Sequence, residues 1–158
     1  MEANSQAVVF QAGSEEYALP ILAVVSIEKP EGITHVPHMP EYLKGIAKVR
    51  EELIPVIDSE MVLYGRKTEE DEKTRIIVIN TSGISAGIMV RDAREILEIP
   101  VEHLKQTSLL ASGNNRFFSR IASFDGRMVM MIDPELLIVS LDGIGEVTEY
   151  VEKMEQAN

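Results

Sequence analysis

The sequence predicts a mainly β protein: two small barrels of about five short strands each, packed side by side, with short helices and an amphipathic helix near the C-terminus. Two observations carry this prediction. The first is an internal repeat. "GIAKVREELIPVIDSEMVLYG" (45–65) aligns with "RIASFDGRMVMMIDPELLIVS" (120–140) at an offset of 75 residues. Ile46-Ala47 falls on Ile121-Ala122, Val49 on Phe124, Ile57-Asp58 on Ile132-Asp133 and Glu60 on Glu135; Tyr42 and Leu43 fall on Phe117 and Phe118. A looser echo, "AVVFQAGSEEYALPI" with "TRIIVINTSGISAGIMV", precedes each copy at a smaller offset, so the second copy carries a longer central loop. Two matches in the same order indicate a duplicated unit. The second observation is that each copy consists of short apolar runs separated by turn residues, the pattern of small all-β domains.

Taken in order, Val8 to Ala12 and Tyr17 to Ile21 read as strands flanking the turn Gly13-Ser14-Glu15-Glu16. Lys48 to Asp58 reads as a hairpin centred on Arg50-Glu51. That reading rests on the copy, where Asp125-Gly126, a favoured two-residue turn, separates "IASF" from "RMVMMI". Asp58 and Asp133 end the second strand of each hairpin and are placed to cap a short helix, with Pro134 in its first turn and Gly65 after the end of the earlier one. "GRKTEEDEKT" (65–74) is charged and lacks apolar periodicity, which predicts a solvated linker. Beyond it, Arg75 to Asn80 and Ala86 to Val90 flank Thr81-Ser82-Gly83, and "LLASGNNRFF" reads as the long loop with Gly113-Asn114-Asn115 at its tip. Val147, Tyr150, Val151 and Met154 fall at the spacing of a helical stripe. The expected division is an earlier barrel over about 7–65, a linker over 66–73, a later barrel over 74–141 and a helix over 145–156, all in one domain. Each barrel is marginal alone at this size, so the interface between them is expected to be apolar and permanent.

Composition narrows the function. Cysteine is absent from the 158 residues, which excludes disulfides, thiolate zinc sites and a cysteine nucleophile. "MEANSQ" lacks the positive region of a signal peptide, and "YALPILAVVSI" is too short to span a bilayer, so the expectation is a cytoplasmic protein without direct membrane insertion. The formal charge of −11 disfavours nucleic acid and anionic lipid surfaces, leaving proteins as partners. The histidines are His35, His38 and His103. "HVPH" offers two imidazoles, but the proline prevents a helix and no third ligand is marked by spacing, so a metal-dependent enzyme using His35 and His38 is the weaker reading. Asp58 and Asp133 are better explained as caps than as a catalytic pair, and Glu69 to Glu72 lack the spaced ligands and glycine of a calcium loop. No catalytic residue, metal or cofactor is expected. The protein is expected to bind rather than convert.

The segments "VVFQAGSEEYALPI", "ITHVPHMPEYLKGIAKVREELIPVID", "AGIMV" and "MVMMID", in this order, resemble the CheW-like chemotaxis coupling family from about Ala7 to Leu141. The most specific part is Pro37 to Asp58, with Pro-x-x-Pro-x-Tyr, a glycine five residues before an arginine, and Ile-Pro-Val-Ile-Asp. The resemblance implies two SH3-like five-stranded barrels around a shared core and no enzyme activity. It implies an adaptor that joins the cytoplasmic tips of chemoreceptors to the regulatory domain of the histidine kinase CheA. One barrel would meet the kinase, and the groove between barrels would receive receptor helices. A non-motility pathway, in pilus or surface sensing, is the alternative setting.

Carried over by position, Arg50, Gly45 and Val24 are the candidates for the receptor side, with Ile88 and Val90 in the later unit. Kinase-contacting residues remain unassigned. Each candidate also has a plainer reading: Arg50 as a solvated turn residue, Gly45 as a place where only a residue without Cβ fits, and Val24 as core. The chain departs from the family at the hairpin, usually Asn-Leu-Arg-Gly and here Lys48-Val49-Arg50-Glu51. A glutamate at a site requiring positive φ costs on the order of 1 kcal/mol unless the turn changes type. Arg91 stands where the family usually has Asp. No receiver domain is expected after the module, which would set it apart from the longer fused relatives, and a monomer is expected.

Overall fold

The computed structural model describes residues 4–105 and 117–157. The loop tip expected at Gly113-Asn114-Asn115 lies outside the described residues. Strands β1 (Asn4–Ala12), β2 (Glu15–Pro20), β3 (Val24–Glu28), β4 (Leu43–Val49) and β5 (Glu52–Asp58) lead into α1 (Ser59–Tyr64). The second half repeats the series as β6 (Arg75–Asn80), β7 (Ser85–Val90), β8 (Asp92–Pro100), β9 (Leu104–Lys105), β10 (Phe118–Phe124), β11 (Arg127–Ile132) and α2 (Pro134–Ser140), and α3 (Ile144–Ala157) follows. The fold is mainly β and is built on two sheets, as expected. One sheet has five strands in the order β3-β6-β7-β5-β4. The other has six rather than five, β8-β1-β2-β11-β10-β9.

The sheets are not the two sequence halves. The β1–β2 hairpin belongs to the sheet of the later half, where β2 runs parallel to β11 and β1 pairs with β8. Reciprocally, β6–β7 belongs to the sheet of the earlier half, with β7 parallel to β5 and β6 against β3. The strands are thus partitioned differently from the halves 7–65 and 74–141. The repeat is nevertheless exact in register: one shift carries the pair Val8–Leu19 onto Ile77–Ile88. Local sequence marks each hairpin, whereas the choice of a parallel neighbour some 30 to 110 residues away leaves no local trace.

Burial on both strand faces follows from this exchange. On β1, Val8, Phe10 and Ala12 face a core shared by both sheets, while Ala7 and Val9 face a smaller core inside the six-stranded sheet with Ile99, Ala122 and Val129. On β6, Ile77 and Ile79 enter the shared core, and Ile76 and Val78 pack with Ala47, Ile54 and Val56 inside the five-stranded sheet. Strands buried on both faces read as continuous apolar runs, which is what "AVVF" and "IIVI" are. Three apolar layers result: one inside each curled sheet and one between them.

The terminators behave as the sequence predicts. Asp58 Oδ1 accepts from the N–H groups of Glu60 and Met61 at 3.0 and 3.3 Å, and Asp133 Oδ1 from Leu136 N–H at 3.1 Å. Gly65 ends α1 with φ +73°, and Pro134 opens α2. Asp58 N–H donates to Tyr42 O and Asp133 N–H to Phe117 O, both at 2.8 Å, at the repeat offset. Thr68 departs from the expected solvated linker: it is buried and donates from its N–H and hydroxyl to Asp58 at 3.0 and 2.5 Å. Val147 and Val151 of α3 pack on the shared core with Met154, while Tyr150 is partly exposed. α3 lies against β5.

Candidate binding surfaces

The β4–β5 turn keeps its type despite its sequence. Arg50 and Glu51 have φ +51° and +68°, against +49° and +73° for Asp125 and Gly126 in the copy. Both central residues of a two-residue primed turn require positive φ, and the twist of the flanking strands imposes it here on an arginine and a glutamate. The two side chains stand 68% and 92% exposed. Arg50 Nε lies 3.9 Å from Glu28 Oε2, and Lys48 Nζ lies 3.7 Å from Glu51 Oε2. These separations exceed hydrogen-bond length, so the ends remain free to meet a partner. Glu28 ends β3, one edge of the five-stranded sheet, and Arg50 tips the hairpin of β4, the other edge. Their approach shows the sheet curling until its edges meet.

Gly45 is fixed by packing. Thr34 and Ile46 exchange two backbone hydrogen bonds of 2.8 Å, which press Ile33-Thr34 across β4. A Cβ on Gly45 would lie 2.4 Å from Thr34 O and 2.7 Å from Ile33 Cγ2. Val24 is half-buried against the shared core. Ile88 and Val90 are 2% and 0% exposed within it, on the face of β7 that enters the shared core, and Ile88 also lines the pocket between the sheets. Of the five candidates, only Arg50 has a mostly exposed side chain.

Sequence reasoning missed an apolar edge beside it. Leu22, in the 3-10 turn Ile21–Ala23, is 98% exposed, and Val25 and Ile27 of β3 are 45% and 44% exposed. In "VVSIE" the apolar phase, Val25 and Ile27, is the one turned outward, while Val24, Ser26 and Glu28 take the half-buried phase. A small apolar pocket lies between the sheets, where Val62 and Leu63 of α1 meet Leu137 of α2 over the buried Phe10, Leu19, Ile88 and Ile132. On the outer face of α2, Leu136 and Val139 are 42% and 67% exposed.

A buried carboxylate holds this region together. Glu60 is fully buried, accepts from Gly13 N–H at 2.8 Å, and receives Arg91 in a two-point contact, Nε to Oε2 at 2.9 Å and Nη2 to Oε1 at 3.1 Å. Arg66 adds positive charge at 3.7 Å. Desolvation pushes the carboxyl pKa up, but the Arg91 and Gly13 hydrogen bonds outweigh it and hold the group below the ordinary carboxylate range. The copy repeats the clasp in weaker form: Glu135 accepts from Ser82 N–H and hydroxyl at 2.8 and 2.7 Å in an exposed setting. The shift that relates the hairpins carries Gly13 onto Ser82. Each clasp ties a helix following one sheet to a turn of the other, and Arg91, the departure noted in the sequence, reinforces only the first.

His35 and His38 lie in the segment between β3 and β4, and His103 sits in the 3-10 turn Val101–His103 beside Phe124. Among the described residues, no three His, Cys, Asp or Glu side chains converge as metal ligands do. No described helix is long and apolar enough to cross a membrane.

Paired curled sheets with exchanged hairpins, offering a charged tip beside an apolar edge, form a protein-binding module. The CheW-like domain model matches residues 6–142, and the chain belongs to this family. The chain is similar to the chemotaxis protein CheW of Helicobacter pylori, 31% identical over 134 residues that cover 84% of this chain and 81% of that protein. It is 26% identical over 133 residues to the chemotaxis protein CheW of Klebsiella aerogenes, covering 84% and 80% of the two chains. Among solved structures, it resembles the scaffolding protein TtCheW from Thermoanaerobacter tengcongensis with a TM-score of 0.78 and 28% identity, over 90% of this chain and 92% of that one.

Proposed function

We propose that this protein is a non-enzymatic adaptor that couples chemoreceptor cytoplasmic tips to the regulatory domain of the kinase CheA. It would act in the cytoplasm, associated with the membrane only through its receptors. The observation that carries the reading is that two chemically different exposed surfaces occupy one sheet and the turn that leads into it. Leu22, Val25 and Ile27 form an apolar edge, while Arg50 stands at a charged tip. An apolar edge suits a homologous barrel of the kinase, because two such surfaces exclude water from each other. The arginine tip suits a receptor helix that offers it an acidic side chain.

The test is co-sedimentation with receptor-containing membranes and CheA, together with kinase activity. Wild type is expected to bind both and change kinase output. Arg50→Ala should weaken receptor retention severalfold at unchanged thermal stability, and Leu22→Asp should weaken the kinase contact alone. Retention by neither partner, with kinase activity unaltered, overturns the proposal.

A further inference from the structure

Glu51 occupies a position that works against the fold. It adopts φ +68°, a conformation that its copy assigns to Gly126, and its own contact is a 3.7 Å approach to exposed Lys48. A side chain 92% exposed gains almost nothing from such a pair. The strand twist imposes this φ, but among the described residues no side-chain contact offsets what a glutamate costs there relative to glycine, and a costly residue kept at an exposed tip points outward, to a partner.

We infer that Glu51 is a specificity-determining residue of the receptor contact, selecting a partner helix with a Lys or Arg beside the acid that Arg50 takes. The inference rests on the proposed adaptor function and refines it. Charge complementarity argues for this occupant. Lys48 and Arg50 are positive and Glu51 and Glu52 negative within five residues, on a chain whose formal charge is −11. A purely acidic partner would meet Glu51 and Glu52, and a purely basic one would meet Arg50 and Lys48. A surface with one charge of each sign satisfies both, and like charges in a misregistered contact repel. Exposed charges at contact rims mainly set partner choice and association rate.

The experiment compares full-length wild type, Glu51→Gly, Glu51→Lys and Arg50→Ala. It measures affinity for a chemoreceptor cytoplasmic-tip fragment from the same organism, at low salt and at 0.5 M salt, and thermal stability. Glu51→Gly should melt at a higher temperature yet bind about threefold more weakly at low salt. Glu51→Lys should lose about tenfold or more, and high salt should shrink both differences. If Arg50→Ala loses affinity while both Glu51 variants bind as wild type does, the role of Glu51 is overturned and the adaptor function stands. If wild type binds no tip at all, the adaptor function fails and this inference falls with it.

Discussion

Single residues separate into those that build the module and those left to meet partners. Gly45 builds. A methyl there collides with backbone at 2.4 Å, and backbone gives way less easily than a flexible side chain. Gly45→Ala should lower stability by about 1–3 kcal/mol in urea denaturation, and any loss of binding should track the unfolded fraction. Normal stability with receptor binding selectively lost would instead make Gly45 a contact residue. Glu60 also builds, and its effect depends on pH. Its folded pKa is depressed, so its contribution is complete above the unfolded carboxylate value near 4.3 and is lost as pH falls through the lower folded value. Wild-type stability should therefore fall on that acid limb more steeply than that of Glu60→Gln, whose uncharged side chain takes up no proton there. Equal slopes in denaturation curves from pH 7 to 3 would remove Glu60 from the acid response. Which residues face outward was legible for Arg50, whose turn is marked by its copy. The burial of Ile88 and Val90 was not legible, because a strand buried on both faces gives no outward phase to read.

Among elements, the hairpins, the helix caps and the C-terminal helix were all legible, because each is fixed by residues within a few positions. Asp58, Gly65, Asp133 and Pro134 take the roles their residue types dictate. Strand β8 was not, since Asp92 to Glu98 is charged and largely exposed, and its strand character comes from lying along β1. Thr68 escaped notice for a similar reason: its burial is created by Asp58, which also caps α1. The two clasps, Glu60 to the β1–β2 turn and Glu135 to the β6–β7 turn, are visible in sequence only as a repeated glutamate. They differ in strength because Arg91 and burial serve only the first. Arg91→Ala should cost about 3–5 kcal/mol, as removing one partner strands a buried charge. Ser82→Ala, at the exposed clasp, should cost well under half of that. Comparable losses in chemical denaturation would show that the two clasps are equivalent despite their surroundings.

Across the whole molecule, the hairpin exchange makes the halves interdependent. Each sheet takes its first hairpin from one half and its closing strands from the other. Fragments 1–70 and 71–158, prepared separately, should each lack a cooperative thermal transition, and mixing them should restore one. A cooperative transition in either fragment alone would show that a half is a self-sufficient barrel. The sequence could not disclose this, because duplication predicts two like units and is silent on whose strands complete which. The same exchange governs how the chain leaves the ribosome. Val8 of β1 is laid against Ile96 of β8, and β2 lies beside β11, so the first hairpin emerges long before its neighbours exist. At roughly 5–20 residues per second, Val8 waits about 4 to 18 s for Ile96. Throughout that interval the nascent chain carries apolar strands with open edges. Protein synthesis, rather than the finished fold, is therefore when this protein is most exposed to chaperones and to its own neighbours on a polysome.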